Sequence, residues 1–366
     1  MLTLFCCALS TNYAFIKILR GKGVFMNNTN LLVTYIQKWG SAASIALFDP
    51  TCKKFSIASI TGIIGYRDTQ KCAVVFGDPV CAPENIAELT HAFHAFCNEH
   101  NKTIIYVAAS EKFMSWILSN QENWSAIEIG NEIIIDPCQD PKARTGSHAS
   151  LLRNKYNQAM RSGITVKEYM GLDQELENKL EQVSSSWLAN RKGPQIHFGQ
   201  NGIFSDRSNK RWFYAEQNGT ILGLIMLNRI DAHHGWVQNL LMITPEAPKF
   251  TSEVILLSTL DVLRKEGCQF FSTGPLPAPH IGKVEGLGSV SEWLVRKIYH
   301  VSKKIFKLGE RQRFWKKFEP RSQPTFVLFS SSRIGLSEVL GIMNAFNAKI
   351  RKKKSKHLDS APNTSS

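Results

Sequence analysis

Apolar residues in the first part of the chain recur with two different periods. Residues 31–41 (LLVTYIQKWGS) carry them at helical spacing, which predicts an amphipathic helix that ends at Gly40. Three short apolar runs follow, each bounded by turn residues, and they predict strands at 44–48, 54–59 and 61–67.

Residues 71–110 carry the clearest pattern in this half of the chain. An apolar run leads through a Gly-Asp-Pro turn at 77–79 into an amphipathic stretch and then a second apolar run. This order predicts strand, turn, helix and strand, with Asn85 as the helix N-cap. The expected buried face of the helix is Ile86, Leu89, Phe93 and Phe96. Residues 112–120 and 125–137 predict one more helix and one more strand.

A similar order of elements recurs in the second half of the chain. The predicted elements there are helices at 151–163, 172–191 and 252–267, a strand at 164–170, a strand meander at 211–243, and strands at 268–274 and 326–331. Recurrence of helices, meander, helix and strand favours an α/β protein with a duplicated unit. We expect a leader of unassigned role at 1–26, an N-terminal unit at 27–146, a connecting helix at 147–163, a C-terminal unit at 164–346 and a basic, unstructured tail at 347–366.

The charge of the chain points to its partners. It has 366 residues, a formal net charge of +14 and a pI near 9.4. Such a surplus favours polyanions such as RNA, or an anionic membrane face. Lysine and arginine residues are concentrated towards the end of the chain, as in KIRKKKSKH at 349–357. This run either contacts a phosphate-rich surface or is simply a solvated tail.

The first 25 residues fit neither a signal peptide nor a membrane span. Lys17 and Arg20 follow the apolar run, whereas a signal peptide carries its cations before it. The run is also too short and too polar to cross a bilayer. For this segment two alternatives stay open: Met26 is the true start of the protein, or the segment is a helix that contacts a membrane weakly. We expect a cytoplasmic protein.

No pattern predicts a metal site or a cofactor. The eight cysteines are scattered without a CxxC pair, which fits a reducing compartment. His91, His94, Cys97 and His100 lie at steps of three on a predicted helix, and each step drifts by about 60°, so they cannot converge on one ion. GxSxG and GxxxxGK[ST] signatures do not occur in the chain.

Six segments in order resemble one family. They are GDPV (77–80), LLRNKYNQAMRSG (151–163), SSSWLANRKGPQIHFGQNGIF (184–204), ITPEAPKFTSEVILLSTLDVLRKEG (243–267), FFSTGPLPAP (270–279) and RFWKKFEPRSQPTFVLF (313–329). The chain resembles the C-terminal catalytic domain of the phosphatidylglycerol lysyltransferases, also called multiple peptide resistance factors, over residues 31–330.

The resemblance implies a fold and an activity. The fold would be two tandem acetyltransferase-like (GNAT) units, each a mixed sheet flanked by helices, joined by a helix. The activity would be transfer of an amino acid from aminoacyl-tRNA to the hydroxyl of an anionic phospholipid such as phosphatidylglycerol. Such a site mainly aligns a hydroxyl with an activated ester and stabilises the oxyanion, so it needs neither metal nor cofactor. The expected partners are aminoacyl-tRNA and an anionic lipid or membrane surface. A cytoplasmic protein with such partners could also bind peripherally at the inner face of the membrane.

The chain departs from the family pattern at two charged positions. Asn239 and Met242 stand where the family commonly has the acid and the arginine of Asp-Leu-Met-Arg, and Trp315 replaces a lysine. Glu253 and Lys317 are kept. Loss of an acid and a guanidinium together has three possible meanings. A paired charge was removed, the protein recognises a different amino acid as substrate, or activity was lost.

The resemblance also implies site residues. The expected catalytic residues are Asn239, Glu253, Thr273 and Gly274, and the expected substrate-binding residues are Arg153, Arg311, Arg313, Trp315 and Lys317. We expect the loop STGPLPAP (272–279) to close over the ester, with the Gly274 N–H aimed at the oxyanion. The alternative for the segment 272–279 is a rigid connection that leaves the strand and has no part in the site. The alternative for Glu253 is a charge at a helix N-terminus.

The basic, aromatic stretch at 309–329 has two interpretations. Its cations would hold RNA phosphates, while Phe314, Trp315 and Phe318 would either pack the helix on the domain or stack on the terminal adenine. The alternative is a structural helix with a solvated basic face.

Two other functions stay open on the sequence. One is a transferase with another acceptor or an acyl-CoA donor. KVEGLG (283–288) is similar to a pyrophosphate loop, but Lys283 stands where Arg or Gln is usual. The other is a non-catalytic relative that binds tRNA or membrane.

Overall fold

The fold is known from a computed structural model, which describes residues 24–25, 29–190, 203–204, 207–306 and 310–346. The strands are β1 Val24–Phe25, β2 Lys53–Ser56, β3 Gly62–Asp68, β4 Cys72–Phe76, β5 Val80–Cys81, β6 Thr103–Ser110, β7 Ser125–Ile135, β8 Thr165–Tyr169, β9 Lys210–Gln217, β10 Thr220–Ile230, β11 Gly235–Ile243, β12 Phe271–Pro277, β13 Val284–Glu285 and β14 Arg321–Phe329. The helices are α1 Thr29–Trp39, α2 Ile86–Glu99, α3 Glu111–Asn120, α4 Ser147–Arg161, α5 Gln174–Asn190, α6 Thr251–Lys265, α7 Ser289–Phe306, α8 Glu310–Lys316 and α9 Leu336–Ala345. Leader residues 1–23 and the tail at 347–366 lie outside the described residues.

All the described strands belong to one mixed sheet with helices on both faces. Its main order is β1-β2-β3-β4-β6-β14-β7-β12-β11-β10-β9-β8, with β13 on β7 and β5 on β3. The α/β class and the two acetyltransferase-like units are confirmed. Each unit contains antiparallel strands and one parallel pair, β4 with β6 and β11 with β12, whose two strands are connected through a helix.

The two halves of the sheet join where β7 pairs antiparallel with β12. The expected unit boundaries stay a prediction, because hydrogen bonding runs across the join. The last strand, β14, does not stay with the second half: it lies between β6 and β7 of the first half. A strand order read along the chain does not reveal such a long-range insertion.

One predicted strand is wrong. Residues Ala42–Phe48 form a 3-10 helix rather than a strand at 44–48. The Ser41 N–H donates to Ser44 Oγ at 3.0 Å, which closes a helical turn immediately after Gly40. An apolar run of five residues carries too little periodicity to separate the two structures.

Most other predicted elements are confirmed, including the meander β9–β10–β11 and the helix before Gly163, whose φ of +80° ends α4. Asn85 occupies the N-cap position of α2 but makes no side-chain capping hydrogen bond. No helix in the described ranges combines the length and the apolar character that a membrane crossing requires.

Separate apolar clusters cover the faces of the sheet. In the first half, α2 and α3 pack on one face, and α1, α7 and α9 pack on the other. In the second half, α4, α6 and α8 share a core on one face, while α5 covers the opposite one. The parallel strands are therefore buried between helices, as their continuous apolar runs require.

Candidate functional site

The parallel strands β11 and β12 form a notch near the centre of the sheet. They pair at Trp236 with Phe271 and at Val237 with Ser272, and the described residues beyond these positions are not paired between the two strands. In α/β sheets, ligands commonly bind in the crevice where the pairing of adjacent strands ends at their carboxyl ends.

Asn239 is the extra residue of a β-bulge beside this notch. Leu240 pairs with Met226 and Gln238 pairs with Leu227, so Asn239 has no partner position on β10. Its Nδ2 donates to Oδ1 of the buried Asn228 at 2.8 Å. The amide is thereby fixed at the point where β11 leaves β12.

Thr273 and Gly274 form a second bulge, on β12. Ser272 pairs with Ile134 and Pro275 pairs with Glu132, so two residues of β12 oppose one of β7. Gly274 has a φ of +76°, and apart from Gly274 and its two chain neighbours no heavy atom of the described residues lies within 4 Å of the place a Cβ would take. The described part of the chain therefore leaves open space beside Gly274.

Two expectations for this segment are wrong in detail. The Gly274 N–H donates to Ser272 Oγ at 3.0 Å, so it is not available to an oxyanion in this structure. The proline-rich segment continues as a strand to Pro277 rather than forming a loop, because β7 pairs with it on both sides of the bulge.

Glu132 is a functional candidate that the sequence pattern did not reveal. Ser272 Oγ donates to Glu132 Oε1 at 2.6 Å, across the join between the two halves of the sheet. Burial raises the pKa of the Glu132 carboxyl above its usual 4.5; the Ser272 hydrogen bond opposes this rise, and the Asp78 carboxyl adds to it. A carboxyl group with a raised pKa is suited to accept and return a proton.

Asp78 lies just past the end of β4, which is one strand of the parallel pair in the first unit. Its Oδ1 accepts a hydrogen bond from the Ser110 N–H at 2.9 Å, and burial raises its pKa. The parallel pair β4–β6 ends at Phe76 and Val107, and Ala108 next to it has a φ of +60°. A left-handed alanine costs about 1 kcal/mol, so strain is stored where these strands end.

Glu253 lies between two lysines in the first turn of α6. Lys155 Nζ is 2.5 Å from Glu253 Oε1, Lys317 Nζ donates to the same oxygen, and Ser252 Oγ is 2.9 Å from Oε2. Burial alone would raise the pKa of Glu253, but the hydrogen bonds from Lys155 and Lys317 outweigh it and hold the pKa below 4.5. The carboxylate therefore ties α4 and the segment after α8 to the start of α6.

The family of this chain follows from a comparison with family models. The model of the family described as "Phosphatidylglycerol lysyltransferase, C-terminal" matches residues 33–329. The chain belongs to this family. No curated protein sequence matches it.

Several solved structures share this fold. L-PGS from Bacillus licheniformis has a TM-score of 0.72 at 18% identity, with 90% of this chain and 99% of that chain covered. The C-terminal domain of a protein from Agrobacterium fabrum, named as a putative lysylphosphatidylglycerol synthetase, has a TM-score of 0.70 at 18% identity, covering 86% and 95%. A conserved protein of unknown function from Bacteroides thetaiotaomicron has a TM-score of 0.57 at 7% identity, covering 84% and 99%. At these identities the likeness shows the fold alone.

Met242 and Asn239, the two positions where we expect the chain to depart from the family pattern, lie in different surroundings. Met242 is 1% exposed and packs among apolar side chains such as Met226 and Trp212, where an unpaired charge would be costly. Asn239 is only half-buried and stays at the bulge. Met242 is thus part of the core, whereas Asn239 lies at the notch.

Trp315, which we expected among the substrate-binding residues, lies in the core instead. Trp315 and Phe318 are 4% and 0% exposed and belong to the core shared by α4 and α6. Of the two expected roles, packing is therefore the one the structure contains, because a buried indole cannot stack on a base.

The expected cations have unequal exposure. Arg313 is exposed, whereas the Lys317 side chain is 14% exposed and is neutralised by Glu253. Arg153 is exposed on α4, and its Nη1 donates to the carbonyls of Lys142 and Arg144 at 2.6 and 2.9 Å. Arg311 belongs to α8, but its side chain lies outside what the structure describes.

The histidine and glycine motifs have structural roles. His94 Nε2 lies 3.0 Å from Tyr106 Oη in the core, and no cluster of potential metal ligands occurs among the described residues. At 283–288, a Cβ on Gly286 would lie 2.2 Å from the Trp124 carbonyl oxygen, so this glycine permits close backbone packing. Lys283 Nζ pairs with Glu285 at 2.5 Å.

Proposed function

We propose that this chain transfers an aminoacyl group from aminoacyl-tRNA to the hydroxyl of an anionic phospholipid such as phosphatidylglycerol. Family membership supports the reaction class. The observation that carries the proposal is the notch itself: parallel strands whose pairing ends at Val237 and Ser272, a left-handed Gly274 beside space that the described residues leave open, and a Glu132 carboxyl with a raised pKa joined to it through Ser272.

The reaction needs alignment more than chemical activation. The lipid hydroxyl oxygen attacks the ester carbonyl, a new C–O bond forms, and the bond to the ribose oxygen of tRNA breaks. The hydroxyl proton must leave and a proton must reach the ribose oxygen. Because one ester replaces another, positioning and oxyanion stabilisation supply most of the rate.

Glu132 is our candidate for the proton carrier. Its burial makes proton binding easier than for an exposed carboxylate, and the Ser272 hydroxyl connects it to the Gly274 backbone. Ionised Glu132 would take the proton from the attacking hydroxyl and return it to the departing ribose oxygen. Thr273, at the β12 bulge, and Asn239, at the β11 bulge, are the candidates for orienting the ester.

The tRNA contact is assigned to exposed cations next to the second half of the sheet. Arg153 and Arg313 are exposed, and Arg311 lies two residues before Arg313 on α8. Such cations bind phosphate through Coulomb attraction and counterion release. Lys317 contributes indirectly, by holding Glu253 and thereby the start of α6. The protein would act in the cytoplasm, peripherally at the inner membrane face.

A direct test is to incubate the purified chain with a set of radiolabelled aminoacyl-tRNAs and vesicles that contain phosphatidylglycerol. We expect a labelled lipid with at least one aminoacyl-tRNA, and the aminoacyl-tRNA that yields it would identify the amino acid transferred. Label transferred to a peptide or other acceptor, or a requirement for acyl-CoA, would contradict the lipid assignment.

A second candidate function rests on Met242. Met242 is buried, and neither Met242 nor Asn239 carries a charge, so these two residues cannot form the ion pair that the resemblance leads us to expect at their positions. This favours a non-catalytic relative that binds tRNA or membrane. Intact tRNA binding without labelled product for any aminoacyl-tRNA would support this candidate over the first.

A further inference from the structure

Helix α7 exposes apolar side chains to solvent along one face. Val290, Trp293 and Val301 are 80%, 61% and 55% exposed. At 100° per residue, these three and Lys297 fall within an arc of about 80°. An exposed stripe that includes a tryptophan is unusual for a helix that has only water beside it.

Cations accompany this stripe. Lys297 Nζ lies 5.8 Å from the centroid of the Trp293 ring, and Arg296 Nη2 pairs with Glu292 at 2.8 Å. The helix sequence contains four lysine or arginine residues and one acid. A tryptophan and apolar side chains interleaved with cations are typical of helices that lie in the plane of a membrane interface.

The opposite face of α7 is fixed to the protein beside the candidate site. Val295 and Tyr299 pack on the core of the first half. Tyr299 Oη is 2.6 Å from the Ala278 carbonyl oxygen and 3.1 Å from that of Ile129. Ala278 directly follows β12, so the helix is held to the strand that carries Gly274.

Helix α9 adds to the same layer. It packs with α7 on one core, and its Leu336 and Leu340 are 73% and 54% exposed. In the sequence, α9 is followed closely by the cationic run at 349–357. Exposed apolar side chains therefore accumulate on the side of the sheet that α7 occupies.

We propose that the exposed face of α7, defined by Val290, Trp293, Lys297 and Val301, docks this protein on an anionic phospholipid bilayer. The link of this docking face to catalysis rests on the proposed function. Docking through α7 would bring the lipid hydroxyl close to β12. The cations could bind RNA phosphates, but RNA would leave the two valines without an apolar contact. A bilayer accounts for both the cations and the valines, so it fits this face better. Each apolar side chain that enters the bilayer and each cation near an anionic leaflet strengthens binding.

The test is co-sedimentation of the full chain with vesicles of phosphatidylglycerol and phosphatidylcholine, and with phosphatidylcholine alone. The variant is Val290→Ser with Trp293→Ser. The matched control is Met170→Ser with Leu172→Ser, because those side chains are 83% and 86% exposed in a different segment. We expect about tenfold weaker binding to anionic vesicles for the α7 variant and less than about twofold for the control.

A charge variant separates lipid from RNA as the ligand. Lys297→Gln should weaken anionic vesicle binding and reduce its salt dependence, with tRNA affinity unchanged. Unchanged vesicle binding in the α7 double variant would overturn the proposal, as would equal losses in the control. A loss of tRNA affinity in its place would also overturn it, in favour of an RNA face.

Transfer assays keep this inference distinct from the proposed function. The α7 double variant should aminoacylate a monomeric short-chain phosphatidylglycerol as fast as the unchanged protein, but should be slower on vesicles. Loss of both rates at an unchanged melting temperature would place α7 in the site and overturn a docking role. If the unchanged protein forms no labelled lipid in either presentation, the proposed function fails, while vesicle binding still decides the docking role.

Discussion

The Ser272 hydroxyl lies 2.6 Å from Glu132 Oε1 and connects β12 of the second half of the sheet to β7 of the first. The same hydroxyl accepts the Gly274 N–H at 3.0 Å. A titratable group of one unit is thus joined to the bulge of the other. Catalysis at the notch would therefore depend on both halves of the chain.

Replacing Glu132 by glutamine should lower transfer about 100-fold or more while keeping the fold, since a positioned acid–base group contributes about 100- to 10,000-fold. In the unchanged protein, the rate should rise with pH through the raised pKa of Glu132. The rate–pH profile of E132Q should lack that limb. Glu128→Gln, on the same strand, is the control. A variant with full activity and an unchanged profile would remove Glu132 from the mechanism.

The same substitution has a predicted effect on stability. A carboxyl whose pKa is raised by folding stabilises the fold below its unfolded pKa near 4.5, and this contribution is lost as pH rises through the folded value. E132Q removes the burden of a buried charge, so its melting temperature at pH 8 should equal or exceed that of the unchanged protein. The gain should vanish near pH 4. A clear loss at pH 8 would contradict the assignment of burial as the cause of the shift.

Glu253→Gln should cost about 2 kcal/mol of unfolding free energy at pH 7, because it leaves Lys155 and Lys317 without their shared carboxylate. The pKa of Glu253 is depressed, so its contribution is present above pH 4.5 and is lost as pH falls through the folded pKa. Chemical denaturation at pH 7 and at pH 3 measures both effects. A cost of only a few tenths of a kcal/mol at pH 7 would instead support a simple helix N-terminal charge.

Exposure of Arg313 predicts a salt-dependent tRNA contact. Arg313→Ala should weaken tRNA binding and lower the slope of log affinity against log salt by about one. Arg161→Ala, at the C-terminal residue of α4, is the control and should leave the slope unchanged. Lys317→Ala should mainly destabilise the fold, because its charge is already paired with Glu253. An unchanged slope in Arg313→Ala would exclude this residue from the RNA contact.

Elements specified by local periodicity were predictable from the sequence. The meander and the helix ended by Gly163 depend on alternation and on a residue that tolerates a positive φ, both visible in a short window. The 3-10 turn at Ala42–Phe48 was not, because its apolar run is too short. The insertion of β14 between β6 and β7 was not either, because pairing partners far apart in the chain leave no local pattern.

The candidate site was predictable in part. Residue type marked Gly274 as a special backbone position, and the structure has φ +76° there. The direction of its N–H depends on Ser272 and could not be read from the motif. Glu132 had one signal: a single acid directly before the apolar run Ile133–Ile135. Burial of Trp315 follows from tertiary packing, which the alternation of aromatic and basic residues on α8 does not specify.

The central claim is that transfer takes place in the open space beside Gly274. The most direct measurement compares labelled-lipid formation by Gly274→Val and Gly267→Val. Both glycines are left-handed, with φ of +76° and +74°, and beyond their own chain neighbours neither has a described heavy atom within 4 Å of the place that a Cβ would take. Backbone strain of about 1–2 kcal/mol is thus shared. We expect a rate at least about 100-fold lower for Gly274→Val at similar stability, and near-normal specific activity for Gly267→Val. Equal specific activities of the two folded variants would contradict the claim.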